Sequence, residues 1–144
     1  MIEWKYIMLH HSLTKDGITA NWDAIRRYHM EVMGWKDIGY HFGVELVGDS
    51  YVIQKGRPLT EFGAHCKEGN MNRQAIGICC VGNFDEEPPP PQQLDVLRSI
   101  VLNLLDEWHI PIENIVPHNR YAPYKSCPGR LFPFQEFVQS LRQA

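Results

Sequence analysis

A mixed α/β (α+β) domain, with a central sheet flanked by helices, is the fold this sequence predicts, and three stretches carry the prediction. From Ala75 to Val81 the chain is nearly continuous in apolar residues, bounded by Asn72 before and Gly82 and Asn83 after. Such a run suits a central strand covered on both faces. Two β-rich runs, His41 to Val47 and Tyr51 to Gln54, flank Gly48, Asp49 and Ser50, turn residues that read as the bend of a hairpin. After the prolines at 88–91, Leu94, Leu97, Val101, Leu104, Leu105 and Trp108 form a long apolar stripe at helical spacing.

The other elements follow in chain order. A short strand, Tyr6 to Leu9, ends in His10. From Thr19 to Met33, the residues Trp22, Ile25, Tyr28, His29, Val32 and Met33 recur every three or four positions, which predicts an amphipathic helix stopped by Gly34. The prolines are a stiff connector into the long helix. Asn114 to Val116 is a short strand-like run, and Pro133 opens a last helix with Phe134, Phe137, Val138 and Leu141 on one face. With 144 residues, 44% hydrophobic and 22% charged, the chain reads as one domain over 1–144. A chain of this length buries roughly 68–70% of its unfolded surface, enough for a core without disulfides. Strand order does not follow from these patterns.

Charge and targeting narrow the function classes. A formal net charge of -3 and the lack of a long basic run argue against a nucleic-acid partner. The start carries no basic segment followed by an apolar stretch, and no later run approaches a membrane span, so cytoplasmic synthesis without membrane insertion is expected. Cys66, Cys79, Cys80 and Cys127 show no CxxC spacing and read as thiols rather than bridges. Cys79 and Cys80, adjacent in the apolar run, should face opposite sides of the sheet as small buried residues.

Chemistry concentrates near the C-terminus. His118 precedes Cys127 by nine positions in a proline-bounded loop that also carries Lys125, and His10 closes the first strand. His10, His118 and Cys127 together suggest a zinc site, with three protein ligands leaving a fourth position for water, as hydrolytic zinc requires. An isolated histidine is more often a hydrogen-bonded or surface imidazole, and a lone buried cysteine a small hydrophobe. The strand-end position of His10 and the rigid Pro123, Pro128 and Gly129 frame around Cys127 favour the metal reading. His11 faces away from any site that His10 enters. Lys125 suits an oxyanion that forms beside the metal, and Tyr40, expected at the start of a strand, could bring its hydroxyl to the mouth.

At these residues the chain resembles the zinc-dependent N-acetylmuramoyl-L-alanine amidases, the family shared by phage endolysins and peptidoglycan recognition proteins. The resemblance runs through residues 7–12 (Ile-Met-Leu-His-His-Ser), 39–42 (Gly-Tyr-His-Phe), 63–65 (Gly-Ala-His), 76–78 with 81–84, and 123–128 (Pro-Tyr-Lys-Ser-Cys-Pro). Each motif is short, and their joint order is specific. The resemblance implies one Zn2+ held by His10, His118 and Cys127, with Tyr40 and Lys125 at the positions of the catalytic tyrosine and lysine. It implies a central mixed sheet with the zinc in a surface groove. The implied substrate is peptidoglycan, cut between the lactyl group of N-acetylmuramic acid and L-alanine. Cysteine as third ligand matches the phage and recognition-protein branch, whereas cytosolic muropeptide-recycling amidases use aspartate. Asn119 and Arg120 depart from the pattern common in relatives.

The same resemblance places His65 along the groove near the stem peptide and offers Asn72 as a substrate contact, with a turn-capping role as its alternative. Arg57 reads as a solvated arginine, with a peptide carboxylate as the other reading. Relatives also imply release to the wall through a holin, and some hold peptidoglycan without cutting it or bind a regulatory protein partner.

Overall fold

The computed structural model describes residues 2–14 and 21–144. Its strands are β1 (Tyr6–His11), β2 (Phe42–Val47), β3 (Ser50–Lys55), β4 (Ala75–Cys80) and β5 (Ile115–Pro117). Its helices are α1 (Trp22–Arg27), α2 (Pro91–Trp108) and α3 (Phe134–Arg142). All five strands join one sheet in the order β3-β2-β4-β1-β5. β4 pairs in parallel with β1 and β2, β1 in parallel with β5, and only β3 runs antiparallel, so the sheet is mixed as expected. β4 sits at the centre and is buried along its whole length, which is why its sequence lacks polar alternation.

The hairpin turns on Gly48 and Asp49, with Val47 opposite Ser50. Gly48 has φ 62, the left-handed region that a two-residue bend demands. Alternation along the parallel strands separates two faces. Ile7, Leu9, Val44, Ile76, Ile78 and Cys80 meet Leu97, Val101 and Leu104 of α2 and Phe137 and Leu141 of α3. On the other face Cys79 packs with Trp22, Ile38 and Val81. The two adjacent thiols therefore do point opposite ways, and no disulfide joins the four cysteines.

The first helix departs from its sequence pattern. Thr19 and Ala20 lie outside the described residues, and α1 starts at Trp22, where the Asn21 side chain accepts a hydrogen bond from Ala24 N at 2.8 Å. From Tyr28 to Val32 the backbone widens into a π-helical turn, with Met33 N donating to Tyr28 O at 3.1 Å, before Gly34 reverses it at φ 74. Trp22 alone of the expected apolar stripe is fully buried, while Tyr28, Val32 and Met33 are exposed. The apolar face expected from the periodicity meets the core at Trp22 and Ile25 and turns away from it beyond Arg27.

Polar groups inside the frame are partnered by backbone from distant segments. Glu45 accepts from Trp22 N and from Gln54 Nε2, fixing α1 to β2. Gln93, 1% exposed on α2, donates from Nε2 to Val44 O and Val81 O at 3.1 Å each. His41 accepts from Gly77 N at Nδ1 and donates from Nε2 to Glu61 O, and burial pushes its pKa down to about 4.

Gln93→Leu keeps the side-chain size but removes both donors, while Val44 O retains Val81 N. The orphaned Val81 carbonyl should cost about 1–3 kcal/mol, seen as a lower urea midpoint at unchanged m. His41 also sets a pH dependence. Its folded pKa lies below the unfolded value of about 6.5, so between roughly pH 6.5 and 4 only the unfolded chain binds this proton. Stability is fully present above that window and drains as pH falls through it. The thermal midpoint of metal-free protein should drop between about pH 7 and pH 5, and a constant midpoint would contradict this account.

Candidate metal centre and groove

β1 and β5 carry two imidazoles to one edge of the sheet. Leu9 lies opposite Pro117, so His10 at the next position of β1 stands beside His118, the first residue after β5. Their ring centroids are 4.5 Å apart, and both side chains are buried. His11 turns to the other face, where its Nδ1 accepts from Phe84 N.

The loop after His118 returns Cys127 to the same point. Asn119 N donates to Cys127 O at 2.9 Å, closing the loop at its base. Asp85 fastens its far side, accepting from Ser126 Oγ at 2.6 Å and from Arg130 N at 2.8 Å. Those two donors hold the Asp85 carboxyl below its ordinary pKa. Cys127 Sγ accepts from His11 N at 3.2 Å and lies 3.6 Å from His10 Nδ1.

One donor atom each from His10, His118 and Cys127 falls within 4.8 Å of the others. Tetrahedral zinc with Zn–S near 2.3 Å and Zn–N near 2.05 Å would separate sulfur and nitrogen by about 3.6 Å, the spacing seen between Cys127 and His10. His118 Nδ1 is buried without a hydrogen-bond partner among the described residues, as an atom reserved for a cation would be. Two imidazoles and one thiol fit a borderline-soft divalent ion. A second grouping, Cys66, Glu68 and His118, shares His118, and its Glu68 already accepts from Tyr124.

Burial sets the proton states. It pushes His118 down to about 4, with the Lys125 charge adding to the effect, and holds His10 well below the ordinary imidazole range. Both rings are therefore neutral near pH 7 and offer lone pairs. Burial drives the Cys127 thiol up to about 12, so a metal ion that binds there must displace its proton.

The groove over these atoms encloses about 580 Å3. His10, His65, His118 and Cys127 form its floor, Tyr40 and Lys125 flank it, and Tyr28, Met33 and Trp35 make an apolar wall. Of the residues exposed at the π-helical turn, Tyr28 and Met33 line the groove and Val32 does not. Tyr40 lies two positions ahead of β2 rather than at its start, with its ring 5.1 Å from that of His10. Burial and a hydrogen bond with Cys79 raise its pKa well above the ordinary phenol value, leaving a protonated hydroxyl. Lys125 is exposed at the rim, its backbone N donating to Ala122 O.

The structure places the other sequence candidates as follows. His65 lies on the groove floor, with Nδ1 2.9 Å from His10 Nε2 and Nε2 2.9 Å from Ala75 O. Asn72 directs its side-chain oxygen to His65 N and Cys66 N, at 2.7 Å each. Arg57 corrects its reading as a solvated side chain. It is 8% exposed, and Nε and Nη1 donate to Ile38 O and Phe62 O, which leaves it stapling two loops instead of meeting a peptide carboxylate. Sequence reasoning passed over Asp85, whose one signal was its place directly after the 81–84 motif.

The family described as N-acetylmuramoyl-L-alanine amidase matches residues 2–130. The endolysin of Escherichia phage T7 is 34% identical over 128 residues, covering 85% of this chain and 79% of the endolysin. Among solved structures, the N-acetylmuramoyl-L-alanine amidase LysC from Clostridium intestinale URNW superposes with a TM-score of 0.84 at 30% identity, covering 98% of this chain and 87% of LysC. A point mutant of Drosophila PGRP-LB, solved in complex with tracheal cytotoxin, gives a TM-score of 0.77 at 25% identity over 94% of this chain and 80% of its own. On the family match, the sequence identity and the shared fold, the chain belongs to the N-acetylmuramoyl-L-alanine amidase family of endolysin and peptidoglycan-recognition type, and is an amidase acting on peptidoglycan.

Proposed function

We propose that the chain hydrolyses, with one zinc ion, the amide between the lactyl carbonyl of N-acetylmuramic acid and L-alanine. The convergence of His10, His118 and Cys127 beneath a groove flanked by Tyr40 and Lys125 carries this reading. When bound there, zinc supplies Lewis acidity and an acidified water. The reaction forms a C–O bond from water to the lactyl carbonyl carbon, breaks the C–N bond and leaves a proton on the L-alanine nitrogen.

The chain's own groups divide that work. Lys125 lines the groove, and its ammonium would donate to the carbonyl oxygen as negative charge builds there. Tyr40 keeps its proton and so acts as a donor, orienting the attacking water or assisting proton delivery to the leaving nitrogen. The apolar wall of Tyr28, Met33 and Trp35 shields the reacting amide from bulk water and gives the sugar a surface to lie against. In the endolysin reading suggested by the phage relatives, the enzyme is made in the cytoplasm and meets the wall once a holin opens the membrane.

Digestion of purified sacculi should release stem peptides with new L-alanine amino termini and leave glycan strands intact by mass spectrometry. New reducing sugar ends would replace this reading with a glycosidase. Lys125→Ala should keep its zinc and lose about 10²–10³-fold in kcat. Cys127→Ala should lose both zinc and turnover, and wild-type turnover by the folded variant would overturn the metal reading.

A further inference from the structure

His65 occupies a slot shaped to its ring. A Cβ on Gly77 would lie 2.6 to 2.8 Å from three of its ring atoms, and one on Gly63 would lie 2.5 Å from its Cδ2. No side chain fits at either position while the ring stays in place. A glycine inside the central strand marks this close approach. The backbone holds the ring as tightly. Asn72 Oδ1 accepts from both His65 N and Cys66 N, and Ala64 N donates to Gly39 O at 2.9 Å.

Within the slot the hydrogen bonds permit one arrangement of protons. Ala75 O can only accept, so the proton of the neutral His65 ring sits on Nε2, 2.9 Å away. Nδ1 then presents a lone pair 2.9 Å from His10 Nε2, and the proton of that contact belongs to His10. His10 is left with its lone pair on Nδ1, the nitrogen facing Cys127 Sγ at 3.6 Å. We propose that His65, anchored on the Ala75 carbonyl, is a positioning residue that fixes the tautomer and ring orientation of His10 and so selects Nδ1 as the metal donor. Both of its ring nitrogens are engaged in this role, which leaves no polar ring atom for a stem peptide. Such outer partners of metal-bound histidines typically govern affinity as well as orientation.

The inference rests on the reading of His10 as a zinc ligand, and its test needs no substrate. Long-range ¹H–¹⁵N spectra of metal-free wild-type protein should show His10 and His65 both protonated at Nε2 and bare at Nδ1. His65→Leu, which fills the slot without an acceptor, should raise the zinc dissociation constant by about 10–100-fold in a competition titration. His65→Asn, whose Oδ1 stands near the place of Nδ1, should recover most of that loss. A proton on His10 Nδ1 in the wild-type spectrum overturns the proposal even where the leucine variant fails to fold. So does a folded His65→Leu protein whose zinc affinity stays within about twofold of wild type. If zinc affinity and tautomer behave as expected while sacculi remain uncut, the assigned reaction falls and the role of His65 stands.

Discussion

Parallel pairing of β1 between β4 and β5 is the constraint on which the site depends. Strand side chains alternate, so a slip of one residue would turn His10 into the α2 face and bring His11 to the groove. Ile7 and Leu9 prevent that slip, because both are buried in the cluster with α2 and α3 while Met8 between them packs in a separate cluster. The hydrophobic register therefore aims a polar side chain. β5 needs only three residues to place His118, since its ladder with β1 ends at the pair Leu9 and Pro117, just before both imidazoles.

Stability and chemistry fall on different faces of the sheet. The α2 and α3 face holds the large continuous cluster of aliphatic and aromatic side chains, and hydrophobic burial there drives folding. The opposite face gives up that advantage along one strip, where His10, His65 and His41 stand in a row with centroid spacings of 4.9 and 6.0 Å. Each nitrogen of His65 and His41 has a partner, which keeps the strip from incurring the penalty of unsatisfied buried groups. Gly77 serves both rings at once: its missing side chain admits His65, and its N–H donates to His41.

Elements buried on a regular period were legible in the sequence. The continuous run of β4, the glycine turn of the hairpin and the stripe of α2 all encode their own burial. His10, His118, Cys127, Tyr40 and Lys125 could be named from motif order, and the structure draws them to one groove. Helical spacing read the segment from Trp22 correctly as far as Ile25, which packs on the core, but not beyond, because the apolar residues Tyr28 and Met33 that line the groove follow the same spacing as core residues. Arg57 and Gln93 were illegible for another reason. Their partners are backbone carbonyls of segments far away in sequence, and a carbonyl carries no residue identity that a pattern could reveal. Asp85 belongs with them, since its value lies in holding a loop that begins more than thirty residues later.

In the proposed reading, Cys127 is the ligand that would balance charge in this setting. The neighbouring rings are neutral and buried, and Lys125 already stands at the rim, so a dication held by three neutral donors would leave its full charge under a low-dielectric floor. A thiolate cancels half of it. Its sulfur is prepared for that state, because His11 N donates to Sγ and, like the Lys125 charge, favours the deprotonated form against the opposing effect of burial. Burial is the larger effect while the sulfur keeps its proton, and metal binding reverses the balance by replacing the proton with a cation at the same position. In the proposed reading the ion then retains a net positive charge facing the open groove, where the substrate carbonyl must be polarised. In that reading the loop clamped by Asp85 would set the ion's electrophilicity as well as its location.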